Sequence, residues 1–210
     1  MENEAVPCKR PYSLGKRLEG SDNRRARILA AARAQLRSGG LPNLRLEALA
    51  RESEVTRQTV HNLFRTKSGV VEALFDQMAR SGGMEQMRLV MQHSDPAAML
   101  TGFVRVFTGF WRKDRLLIRR IHGIAAVDPE FGDAVEARNQ RRRMASRRVV
   151  EVLRGGDSDD KERKAAILYA LTSFEFFDAL AEASGSEEAA AATVLDMVKE
   201  TVDAERQPDV

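Results

Sequence analysis

Residues 44–75 read LRLEALARESEVTRQTVHNLFRTKSGVVEALF, and this stretch decides the fold. Leu46, Leu49 and Ala50 stand at i, i+3 and i+4, the apolar face of a short helix. Ser53 and Glu54 break that pattern, and Val55 plugs the gap before the next element. Thr56 is placed to cap a second helix, its hydroxyl taking up an orphan backbone N–H. Val60, Leu63 and Phe64 give this helix a buried face and leave Arg57, Gln58, Thr59, His61 and Asn62 pointing outward. Two helices joined by a tight turn, the second rich in hydrogen-bonding side chains, form the layout of a helix-turn-helix DNA reader, here at about residues 45–64. Arg57 and Gln58 suit the guanine and adenine edges respectively. Thr59, His61 and Lys67 suit phosphates, which position a reader without reading sequence. On periodicity alone, a solvated outer face fits the same residues.

The wider pattern goes further. Residues 24–81 resemble the DNA-binding domain of the TetR family of transcriptional regulators, of the TetR/AcrR type. Arg27-Ile28-Leu29-Ala30-Ala31-Ala32 is similar to the family's first helix, with Gly39-Gly40 as its stop. Leu46 to Ala50 resembles the bracing helix, and Val55 to Phe64 the recognition helix. Arg65-Thr66-Lys67-Ser68 followed by Leu74-Phe75 resembles the join into a fourth helix, Ser68 to Ser81. Three positions depart from the family pattern. His61 replaces a usual tyrosine; its imidazole can still donate to a phosphate, and it makes DNA binding sensitive to pH. Glu54 replaces a usual glycine in the turn, at a cost on the order of 1 kcal/mol if the backbone there is left-handed. Leu44-Arg45 replaces the usual Thr or Ser cap; Asn43 is expected to cap instead, and Arg45 to reach a phosphate.

Composition agrees with a DNA-binding head on a separate body. Residues 1–81 carry fifteen Lys/Arg against nine Asp/Glu, and the remainder nineteen against twenty-two, so a basic head precedes an acidic body. The 43% hydrophobic content over 210 residues supplies a core. No apolar run approaches the ~18 residues of a membrane span, and no apolar segment follows the basic N-terminal residues as in a signal peptide, so a cytoplasmic protein is expected. The single cysteine, Cys8, excludes an internal disulfide and reads as a free surface thiol. His61, His93 and His122 are widely separated, and neither a Glu-x-x-His pair nor a glycine-rich phosphate loop occurs. Metal or nucleophilic chemistry therefore lacks its usual parts, and neither enzyme activity nor a cofactor or metal is expected.

The whole chain reads as all-α, about nine helices without strand alternation. The expected units are a flexible basic tail over 1–22, the DNA-binding domain over 23–81, and a ligand-binding and dimerisation domain over 82–210. Lys9, Arg10, Lys16 and Arg17 in the tail are basic enough to follow a DNA backbone or enter a minor groove, with diffuse attraction alone as the alternative. Gly82-Gly83 marks a hinge or stop, and Asp95-Pro96 and Asp128-Pro129 each place a capping carboxylate before a first-turn proline. Gly155-Gly156 ends a long helix, with Asp157 to Asp160 opening the next. Nine of the twelve aromatics fall between 101 and 180, which makes the body either an aromatic core or an apolar ligand pocket. The candidate pocket residues are Phe103, Phe107, Phe110, Trp111, His122, Tyr169, Thr172, Phe176 and Phe177. Arg138, Arg141, Arg142, Arg143, Arg147 and Arg148 form a run read as a solvated face paired with acids, with a contact to an acidic ligand or partner as the alternative.

The resemblance implies a ligand-responsive regulator, most often a repressor that binds a palindromic double-stranded DNA operator as a homodimer and is released by a small-molecule effector. It implies DNA contacts at Arg45, Thr56, Arg57, Gln58, Thr59, His61, Asn62 and Lys67. It places the inducer among the middle helices and the dimer on the last two, about 160–184 and 187–204, where Ala189 to Ala192, Val194, Leu195 and Val198 make a smooth face. The rival reading is a helical adaptor or small-molecule-binding module that never touches DNA.

Overall fold

The computed structural model describes residues 14–38, 44–153 and 156–203. Cys8, Lys9, Arg10, Gly39-Gly40, Asn43 and Gly155 lie outside them. Among the described residues there are eleven α-helices and no strand. The head comprises α1 (Leu14–Ser38), α2 (Leu46–Glu52), α3 (Arg57–Phe64) and α4 (Lys67–Ser81). A 3₁₀ turn (Met84–Gln86) and α5 (Met87–Val90) lead into the body. The body contains α6 (Pro96–Lys113), α7 (Arg115–Ala125), α8 (Pro129–Glu151), α9 (Ser158–Leu171), α10 (Phe174–Ser184) and α11 (Glu187–Val198), which ends in a π turn, Lys199–Asp203.

Capping chemistry explains most of these boundaries. Asp95, Asp128 and Asp157 each accept backbone N–H bonds at the start of α6, α8 and α9, the first two with proline in the first turn. Thr56, Thr66, Ser173 and Ser186 do the same for α3, α4, α10 and α11. Arg45 holds the N-cap position of α2 in extended backbone, without a side-chain cap bond.

Two expected helix boundaries are corrected. Residues 14–22, read from sequence as tail, are helical: an existing helix propagates cheaply, and Leu14, Lys16, Arg17, Leu18 and Glu19 are good helix formers around Gly15 and Gly20. The single helix expected over 160–184 is two, broken at Thr172–Ser173, where Ser173 accepts the N–H of Phe176 at 3.2 Å. This break and the short α5 raise the count above nine.

One continuous apolar core joins head and body. Ile28, Leu29, Leu49, Val60, Phe64 and Leu74 centre the head, and Phe103, Leu117, Ile121, Leu168 and Phe177 the body. Helix α4 belongs to both. It packs on α1 and α3, and also on α8, where Ser68 donates to the Glu130 carbonyl at 3.3 Å. Ala190, Val194 and Val198, expected on a dimer face, are buried in the protomer's own core, where α11 packs on α6, α9 and α10.

Candidate DNA-reading head and ligand cavity

Helix α3 turns one face to solvent because Val60 and Phe64 are buried and Leu63 and Val55 are half-buried against the core. That geometry leaves Arg57, Gln58, His61 and Asn62 exposed together, with Thr59 half-exposed at their edge. Thr56 is occupied as the cap, accepting Thr59 N–H at 3.1 Å with its hydroxyl 2.9 Å from that of Thr59. Gln58 donates to Asn62 at 2.8 Å, which fixes two neighbouring side chains on the exposed face. Arg57 reaches back to Glu47 of α2 at 3.0 Å, an exposed pair weak enough for a base or phosphate to replace. Arg45 and Lys67 are exposed at the starts of α2 and α4.

The two turns flanking α3 depart from relaxed backbone. Glu54 has φ +52°, the left-handed conformation that its place in the turn demands. Arg65 has φ +66° and ψ −60°, and Thr66 N–H bonds the Phe64 carbonyl at 2.7 Å, a tight γ-turn between α3 and α4. Gly69 packs directly on this turn.

Behind the head lies a cavity of about 240 Å³. Its walls come from α4 (Phe75, Asp76, Ala79), the connecting segment (Met84, Met87), α6 (Phe107, Phe110, Trp111), α7 (His122) and α8 (Arg138, Asn139, Arg142 among them). The volume lies just under the ~300–1,000 Å³ usual for ligand pockets, and the lining is mostly apolar with a few convergent polar groups. Two methionines form a soft wall on one side.

Of the nine pocket candidates, Phe107, Phe110, Trp111 and His122 meet here. The rings of Phe110 and Trp111 are 4.9 Å apart, and His122 stands edge-on to Trp111 at 6.4 Å. Phe103 and Phe177 are wholly buried in the core behind the cavity. Thr172 serves through its backbone: its carbonyl, at the α9–α10 break, accepts the indole N–H of Trp111 at 3.1 Å. Tyr169 and Phe176 line a separate, open groove on the outer side of Arg142.

His122 Nδ1 lies 2.6 Å from Glu175. That hydrogen bond holds the Glu175 carboxyl below the usual range, against partial burial, which pushes it up.

The arginine run divides. Arg143 and Arg147 pair with Glu136 and Glu162 at 2.6 Å, as a solvated face would. Arg138 and Arg142 turn inward. Arg142 is 5% exposed, and burial lowers its guanidinium to about 10. The solvated-face reading fails for these two because the run encircles the helix: position, and not composition, selects which members face the core.

Residues 28–74 match the family described as bacterial regulatory proteins, tetR family. No curated protein matches the sequence. Solved structures share the fold. A TetR transcription regulator from Haloarcula marismortui aligns with TM-score 0.66 and 18% identity over 87% of this chain and 97% of its own. NalD of Pseudomonas aeruginosa, the secondary repressor of the MexAB-OprM multidrug efflux pump, gives 0.67 and 19% over 89% and 99%. A regulator from Saccharomonospora viridis in complex with choline gives 0.61 and 18% over 88% and 100%.

Proposed function

We propose, on the premise that this chain carries a tetR-family head, that it is a DNA-binding transcriptional regulator: a repressor of a palindromic operator, released by a small, largely apolar or aromatic inducer. The observation that carries this reading is the shared helix α4. Its N-terminus follows the recognition helix through the Arg65–Thr66 turn, and its Phe75, Asp76 and Ala79 form one wall of the cavity. A ligand that prefers a different placement of α4 shifts the head between DNA-competent and incompetent arrangements, by no more than its differential affinity. The solved choline complex illustrates a small ligand on this fold, though arginines in the present cavity oppose a cation.

In this reading Arg57 and Gln58 reach base edges, and Arg45, Thr59, His61, Asn62 and Lys67 contact the backbone or flanking bases. One head reads only a few base pairs, so two heads in a homodimer supply the specificity, with half-sites a whole number of helical turns apart. The last helices provide the interface. Ala179 and Ala183 of α10 and Ala189 and Ala192 of α11 are exposed and small enough for close helix packing. Among the described residues no helix is long and apolar enough to cross a membrane, and a regulator of this kind works in the cytoplasm beside its operator.

Duplex-DNA binding measured against salt tests the head. Binding should weaken steeply with salt, Lys67→Ala should lower the log–log slope by about 1, and Arg57→Ala should cost about 1–3 kcal/mol on a selected operator. Unchanged affinity in both variants would overturn the assignment of α3 as the reader. Sedimentation that finds only monomers would overturn the dimer.

A further inference from the structure

Arg142 is a buried cation without an ion pair: Glu175 acts on it only through space. Its Nη1 donates to the Tyr169 carbonyl, its Nη2 lies 3.4 Å from Asn139 Oδ1, and its guanidinium sits 3.9 Å from the Tyr169 ring centroid. Among the described residues no carboxylate lies within ion-pair distance of it, whereas Arg138 beside it has Asp76. A buried charge held only by neutral groups and a distant acid is costly, so its place on a cavity wall calls for a function.

Arg138 lines the same cavity one turn earlier. It does have an acid: Nη2 lies 3.0 Å from Asp76 Oδ1 and 2.9 Å from the Glu72 carbonyl, both on α4, and the guanidinium sits 4.6 Å from the Phe75 ring centroid. With Arg141, three arginines face one aspartate around a hollow whose remaining wall is apolar apart from Asn139 and His122.

We propose that the effector is a small amphiphilic carboxylate, its anionic end held by Arg142 and Arg138 and its apolar end against Phe107, Phe110 and Trp111. This deepens the reading of the cavity as the effector site and rests on it. A planar carboxylate matches the guanidinium fork, and the charge-assisted bonds it forms are about twice as strong as neutral ones. The incoming anion also competes with Asp76 for Arg138. Binding therefore loosens the α8–α4 tie and frees the helix that follows the recognition helix.

The chain has one tryptophan, Trp111, and it is on the cavity wall, so its fluorescence reports the site. The full-length protein is titrated with two matched series: octanoate, octanamide and octylamine, and 4-phenylbutyrate with its amide. The carboxylates should bind at least tenfold tighter than their amides, and octylamine should not bind. Arg142→Gln should abolish the preference for the carboxylates while leaving amide binding in place. If that variant fails to fold, Arg138→Gln should reduce the same preference. In Asp76→Asn, octanoate should still bind but should no longer change the affinity for duplex DNA. Amides binding as tightly as carboxylates would overturn the anion assignment and leave the cavity as an effector site. No response to any compound, in a protein that still binds DNA, would overturn the cavity reading as well and leave the head assignment standing.

Discussion

Arg37 Nη2 lies 2.6 Å from Asp114 Oδ1, and its Nε donates to the same oxygen at 3.2 Å, tying the last turn of α1 to the start of α7. Arg33 approaches the other carboxylate oxygen at 3.4 Å, and Arg120 of α7 donates to the Leu36 carbonyl at 2.8 Å. This polar clasp and the packing of α4 on α8 reinforce the continuous apolar core that joins head and body.

The clasp is asymmetric, because Asp114 is buried and both of its head partners reach solvent. Removing the acid frees two arginines that can hydrate, whereas removing the arginines strands a buried carboxylate. Asp114→Ala should therefore cost about 1–2 kcal/mol, and Arg33→Met with Arg37→Met about 3–5 kcal/mol. Urea unfolding of the three proteins measures the difference, and equal costs would contradict the asymmetry.

Gly69 is required by the turn before it. A Cβ at this position would lie 2.0 Å from the Phe64 carbonyl oxygen, the atom that closes the γ-turn. The two nearest atoms are both Phe64 backbone, so no flexible side chain can yield. Gly69→Ala should cost about 3 kcal/mol or more and abolish DNA binding, as read by thermal unfolding and a binding titration.

Glu54 offers the opposite case, a side chain where glycine suits the backbone better. Its φ of +52° is strained for any residue with a Cβ. Glu54→Gly should stabilise the protein by about 0.5–1 kcal/mol. The exposed 3.5 Å pair with Arg27 that is lost contributes little. A melting temperature that falls instead would show that the turn relaxes in solution.

Acid should destabilise the body through α10. The bond from His122 holds Glu175 low against burial; at Asp178 burial pushes the carboxyl up, but the hydrogen bonds from Arg119 and Arg115 outweigh it and hold it low. In the unfolded chain both return to ordinary values near 4 and so take up protons first as pH falls. Their contribution is complete above about pH 5 and is lost as pH drops through the folded values. The melting temperature should be level from pH 7 to 5, then fall, and Arg119→Gln should flatten that fall.

The sequence by itself determined most of the helix starts and the helix-turn-helix layout. Caps at Thr56, Asp95, Asp128 and Asp157 and the spacing of Val60, Leu63 and Phe64 are local signals, fixed by backbone hydrogen bonding and a 3.6-residue repeat. The left-handed backbone at Glu54 was legible only through the resemblance, which sets a glycine at that turn position. Only the tertiary structure decided which aromatics meet in the cavity, that Ala190, Val194 and Val198 serve the protomer's own core, and that Arg142 faces inward unpaired while Arg143 faces an acid outside. The arginines are adjacent in sequence and alike in chemistry. Their environments differ through the helices packed around α8, and those contacts join residues far apart in the chain.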